Sequence, residues 1–159
     1  MTTSLLRSAF LVAAAAFALL ALVLWVRGAG RSHVTLADPF RTRGMLNGEV
    51  TQASIRSTIC RRGWTRTIRP PTEYTNALKL RQMRLYREHG PPSAYQEDHL
   101  ISLELGGDPT DPRNLWPEPY PRATDVDRIE NDLNARVCSG ELTLAEAQRK
   151  EADLKHSQG

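Results

Sequence analysis

At 159 residues the chain has room for one domain of ordinary size, and its two cysteines, Cys60 and Cys138, are too few for a four-cysteine zinc site. The net charge of +3 conceals an asymmetry: residues 27–87 carry 13 Lys or Arg against Asp38, Glu49 and Glu73, whereas residues 88–159 carry seven basic and 15 acidic side chains. A polyanion-binding face joined to a cation-binding face would give this pattern, as would a chain in which 18 of 21 basic residues are simply arginine.

The first element is "AFLVAAAAFALLALVLWV", residues 9–26, an unbroken apolar run of 18 between Arg7 and Arg27. That length spans a bilayer as a helix and exceeds the apolar core of a cleavable signal peptide, roughly 7–15 residues. Residues 1–30 are therefore expected to be a membrane anchor, ahead of a cleaved signal and of a buried soluble helix. Arg27, Arg31, Arg41 and Arg43 follow the run, and by flanking charge they would hold the rest of the chain in the cytoplasm. The cysteine pair behind an export-like start fits one disulfide, while two buried free thiols fit a cytoplasmic domain equally well.

Residues 31–49 mix Gly, Arg and polar side chains without periodicity and read as a linker to a domain over 50–159. "VTQASIRSTIC", 50–60, spaces Ile55 and Ile59 as in a short helix, though its β-branched content leaves a strand open. "GWTRTIRPP", 63–71, alternates and ends on two prolines, so it reads as extended. A helix is expected over 73–88, capped by Thr72 and stopped at Gly90. Residues 93–121 read as strand, Gly- and Asp-Pro-rich loop, and strand. Val126, Ile129, Leu133 and Val137 recur at helical spacing over 123–137, and Thr143 with Glu146 forms a capping box for a last helix. The fold class is a small α+β domain with little sheet, for which a disulfide or a bound metal would be a useful staple.

The chemistry concentrates in "EDHLISLELGG", 97–107. Neighbouring residues of a strand point to opposite faces, so Asp98 and His99 can share a site only where the strand ends or turns. Phosphodiester hydrolysis needs a base for water, a hard divalent cation held by oxygen ligands, and a group that fixes one imidazole tautomer. Asp98, His99 and Asn114 supply ligand, base and orienting group in that order. Glu97 reads as a surface acid at the strand end. Arg113 and Arg122 flank the site and are candidates for the scissile phosphate. Arg66 and Arg69, with Arg61 and Arg62, surround Trp64 and would track a nucleic-acid backbone, with the indole either stacking on bases or buried in the core.

"DHLISLELGG" followed by "NLW" resembles the HNH nuclease pattern, D-H-x-x-P-x-x-x-G-G and then N-L, of the ββα-metal or His-Me finger nucleases. More broadly, residues 50–138 resemble small exported bacterial proteins of HNH type in "TIC", "GWT", "RPP", "DHLI", "LELGG" and "NLWPEP". The resemblance implies a ββα-metal finger with flanking helices. His99 would be the general base, Asp98 a metal ligand, and Asn114 the residue that holds His99 from the second strand. The family's third signature residue, a His or Asn on the following helix, has no histidine here. Asp127 is the expected second ligand of a Mg²⁺ ion, with Asn131 one turn on and then Glu130 behind it. Ser102 stands where the family has proline, and the zinc-stapling cysteine pairs are missing. A Cys60–Cys138 disulfide would replace that staple, contributing roughly 4 kcal/mol by the chain-entropy model. The resemblance also favours an extracytoplasmic domain acting on nucleic acid, DNA ahead of RNA, as a monomer. A non-catalytic module of the same fold that binds nucleic acid or another polyanion stays open as the alternative, and a structural envelope protein as a third.

Overall fold

The computed structural model describes residues 35–158; the expected membrane anchor, 9–26, lies outside them. Among the described residues no helix is long and apolar enough to cross a membrane. They contain a two-stranded antiparallel sheet and four helices: α1 (Trp64–Ile68), α2 (Thr72–Tyr86), β1 (Tyr95–His99), β2 (Leu115–Pro119), α3 (Arg122–Ser139) and α4 (Leu144–Ser157).

The local chemistry explains most of these boundaries, with three differences from the sequence pattern. Residues 50–60 form overlapping turns rather than a helix or a strand. Their Ser54 hydroxyl accepts from the Thr51 main chain and donates to the Glu49 carbonyl, so side chains compete for the bonds that a helix would need. Residues 64–68, expected to be extended, are helical. Gly63 at φ 83 turns the chain into α1, which brings buried Trp64 and Ile68 onto one apolar face, and Pro70 and Pro71 force the exit. In α2, Thr72 is the first helical residue rather than the cap. The helix ends at Arg87, in the left-handed region at φ 59, before Gly90 is reached. The other stops follow the expected rules: Gly140, at φ 85, closes α3, and the Thr143–Glu146 capping box opens α4.

The core is built where these elements meet. Ile55, Ile59, Trp64, Leu105, Leu133, Val137 and Leu144 form one apolar cluster, with Cys60 packed against it. Cys60 is bonded to Cys138 at the end of α3, with Cα atoms 5.6 Å apart. A second cluster, Ala37, Leu100 and Trp116, receives Tyr86 with ring centroids 6.3 Å apart. Residues 35–49 hold no regular element, in keeping with their composition, yet they pack on the domain: Ala37 is buried, its N–H donates to the Lys155 carbonyl, and Leu46 bridges to Gly107.

The long connection between β1 and β2 is held open by one side chain and closed by one missing side chain. Asn114, fully buried, accepts from Ile101 N–H at 2.9 Å and donates to the carbonyls of Ile101 at 3.0 Å and Asp108 at 2.9 Å. A Cβ on Gly107 would overlap the Ile101 carbonyl oxygen and lie 2.6 Å from Asn114 Nδ2. Backbone cannot yield there as a flexible side chain would, so Gly107→Ala is expected to cost about 3 kcal/mol and lower Tm by about 10 °C in a thermal melt. An unchanged Tm would show that the loop tolerates a different path.

Candidate active site

Asp98 and His99 are the last two residues of β1, paired across the sheet with Trp116 and Leu115. Because the strand stops at His99, both side chains line one cavity of about 250 Å³, together with Arg69, Glu104, Asp127, Glu130 and Asn131. The last three come from successive turns of α3, so this helix supplies the far wall. A second cavity, of about 360 Å³, shares Arg69, Gln96, Asp98, His99 and Asp127 and continues past Pro70, Thr72 and Thr75. The Asp98–His99 pair thus lines both parts of one continuous recess.

The imidazole is oriented by the loop, not by Asn114. His99 Nε2 lies 3.1 Å from the carbonyl oxygen of Pro109. A carbonyl can only accept, so the proton sits on Nε2 and Nδ1 keeps the lone pair. The expectation that Asn114 touches His99 is corrected: its side-chain bonds all go to main chain, and through the Asp108 carbonyl it fixes the loop that presents Pro109. Asn114 is therefore a positioning residue. Burial holds the His99 pKa below its ordinary value, against the Asp98 charge, so the ring is neutral at neutral pH.

Behind the cavity is an acidic cluster that the sequence pattern did not reveal. Lys155, fully buried on α4, places its ammonium 2.8 Å from Asp98 Oδ2, 2.6 Å from Glu130 Oε1 and 3.6 Å from Glu151 Oε1. It also donates to the main-chain carbonyl of His99. Burial would raise the Asp98 pKa, but the adjacent ammonium outweighs it and holds the group at about 2. Burial, then the Asp98 charge, pushes fully buried Glu118 up to about 9. A hydrogen bond to the Asp98 carboxylate also favours the protonated form of Glu118. Burial pushes Glu151 up to about 7 while both its oxygens accept from Ser102 N–H. One signal for this cluster existed: Leu144, Ala147, Glu151 and Lys155 occupy one helical face, so two charged residues continue an apolar stripe.

Glu97 is corrected from a surface acid to a half-buried residue whose carboxyl group is enclosed. Both its carboxyl oxygens are enclosed without a hydrogen-bond partner, and burial pushes its pKa up to about 8. An acid whose folded pKa is raised leaves stability fully present below the ordinary 4.5 and loses it as pH rises through about 8. Glu97→Gln is expected to flatten the fall in stability between pH 5 and pH 8, measured by urea unfolding at each pH. A slope equal to wild type would place the titration elsewhere.

Comparison with protein-family models, with curated proteins and with solved structures found no match. Of the four arginines expected to meet nucleic acid, Arg69 lines both cavities. Arg113 is turned onto Asp111 at 2.6 Å, Arg66 is exposed on α1, and Arg122 begins α3. Trp64 is buried in the core and is not a stacking platform.

Whether a divalent ion fits can be judged from the oxygen atoms. Among the described residues no three His, Cys, Asp or Glu side chains converge as a ready-made cage. Mg²⁺ asks for less: one or two carboxylates, with water and substrate phosphate completing the shell. Asp98, Asp127 and Asn131 line the same cavity. Asp98 has Oδ2 on Lys155, a 3.3 Å contact from Gln96 on Oδ1 and a hydrogen bond from the protonated Glu118 carboxyl, so a cation would share this carboxylate with them. Asn131 donates its amide N–H to the Asp127 carbonyl at 2.6 Å, which leaves its side-chain oxygen for a ligand. Asp127 is raised first by burial and then by the charge of Asp98, a repulsion that a bound cation would relieve. The donor set suits a hard cation.

Proposed function

We propose that this chain is a metal-dependent nuclease of HNH type, with β1, β2 and α3 as its ββα finger. The observation that carries the reading is the neutral His99, fixed through Nε2 on Pro109, in one cavity with Asp98, Asp127 and Asn131. In that arrangement His99 Nδ1 removes a proton from the attacking water. Arg69, at the junction of the two cavities, holds the phosphate and offsets the charge that develops on it. Asp98, Asp127 and Asn131 would hold the Mg²⁺ ion, which supplies Lewis-acid stabilisation of the phosphate and leaving oxygen when bound. The recess continues past Pro70, Thr72 and Thr75, which leaves room beyond the site for more of a polymeric substrate, and DNA is the form to test first. The Cys60–Cys138 disulfide supports an oxidising, extracytoplasmic location for an anchored monomer.

One observation favours the alternative of a non-catalytic polyanion-binding module: half of the Asp98 carboxylate is already taken by Lys155. The two readings separate in a plasmid-nicking assay on the full-length chain in detergent, with Mg²⁺ or with EDTA. Nicking that requires Mg²⁺ supports the nuclease. Plasmid retardation in a gel with no cleavage under any divalent ion supports the binding module and rejects the nuclease.

A further inference from the structure

The acidic cluster has a cation already seated in it. Four carboxyl side chains from four elements, Asp98 of β1, Glu118 of β2, Glu130 of α3 and Glu151 of α4, surround a single fully buried amine. Three of the contacts to Lys155 Nζ are direct: Asp98 Oδ2 at 2.8 Å, Glu130 Oε1 at 2.6 Å and the carbonyl of His99. Glu118 is fully buried behind Asp98 and shares a hydrogen bond with it. Carboxylates and a main-chain carbonyl are hard oxygen donors, and here they are committed to an ammonium: among the described residues no three acidic side chains converge to hold a metal ion.

We propose that Lys155 is the resident cation of this site, an ammonium held on one oxygen of Asp98, and that it sets how tightly the adjoining cavity binds an exchangeable metal through the other. The proposal rests on reading Asp98 as a metal ligand. It has two consequences. The site is assembled without metal, because Lys155 already ties the end of β1 to α3 and α4. Its positive charge, on the second oxygen of Asp98, also opposes any ion that approaches the first, so the exchangeable ion binds weakly.

Removing the ammonium tests both consequences, on the full-length chain with Mn²⁺ as the probe. For wild type, Mn²⁺ binding followed by the electron-spin resonance of the free ion should be weak, and Tm should be the same in Mn²⁺ and EDTA. Lys155→Met keeps an unbranched stem and removes the charge. It is expected to melt earlier than wild type in EDTA, to regain much of that loss in Mn²⁺, and to bind Mn²⁺ at least about tenfold more tightly. The double variant Glu130→Gln with Lys155→Met removes one acid along with the amine and so leaves less unbalanced buried charge. It should show the same tightening. Wild-type Mn²⁺ affinity in either folded variant, or a Tm loss that Mn²⁺ does not touch, overturns the proposal. So does failure of both variants to fold at saturating Mn²⁺. No nucleic acid enters these measurements, so an inactive wild type would reject the nuclease reading while leaving the Lys155 result to stand or fall on its own.

Discussion

Replacing His99 with alanine is expected to lower the rate of plasmid nicking by about 10²- to 10⁴-fold, the usual worth of a positioned general base. The substitution should leave Mg²⁺ binding near wild type, because the oxygens proposed to hold the ion belong to Asp98, Asp127 and Asn131, which line the same cavity. The Pro109 carbonyl fixes which nitrogen carries the proton, so the ring presents its base form without a carboxylate partner. Burial lowers the His99 pKa, and the base form therefore persists to more acidic pH than an ordinary histidine with a value of 6.5 would allow. Wild-type activity should accordingly begin to fall only below that value. His156→Ala is the matched control, since His156 bonds the Thr42 carbonyl at 2.9 Å and does not line the cavity. Equal cleavage by wild type and His99→Ala, with a common contaminant excluded by the EDTA lane, would remove His99 from the mechanism.

What the sequence made legible, and what it did not, divides along physical lines. Features set by local chemistry were readable. The Thr143–Glu146 box needs only its own turn, and Gly140 ends α3 because its backbone must enter the left-handed region. The strand ending at His99, which lets Asp98 and His99 share one cavity, followed from the two-residue period of a strand. Features decided by tertiary packing were not readable. Trp64 and Ile68 alternate as a strand would, yet burial in the core draws them onto a helical face. Asn114 is the partner of His99 in the HNH pattern that the chain resembles, whereas here the loop's own main-chain groups claim its side chain. Glu97 and Lys155 sit at positions where charge usually means solvent, and no local pattern announces that the Glu97 carboxyl and the Lys155 ammonium are enclosed. The candidate site was thus visible as a strand end and a helix face, and hidden as an electrostatic environment.

The disulfide carries the largest expected effect on stability, and its position explains why. Cys60 closes the turns of 50–60, and Cys138 lies in the last turn of α3, the helix that presents Asp127, Glu130 and Asn131. The bond spans a sequence separation of 78, so its reduction frees a long loop in the unfolded chain. The chain-entropy model puts the loss at about 4 kcal/mol. For a domain of this size that corresponds to a fall in Tm of about 12–20 °C. Native contacts beside the bond soften its local effect, since Asn134 on α3 donates to the Glu104 carbonyl at 2.7 Å and to the Ile59 carbonyl at 3.4 Å. The end of α3 therefore stays attached to the 50–60 turns after reduction, and the cavity should survive at temperatures below the new Tm. Cys60→Ser with Cys138→Ser, compared with dithiothreitol-reduced wild type, separates loss of the bond from loss of sulfur packing. Both samples should melt together, and their nicking rates at 20 °C should stay within about threefold of the oxidised chain, far from the loss expected for His99→Ala. A fall in Tm below about 5 °C would mean that the core and the Lys155 cluster hold α3 without the bond. A large loss of activity in folded protein would mean that the bond sets the position of Asp127 directly.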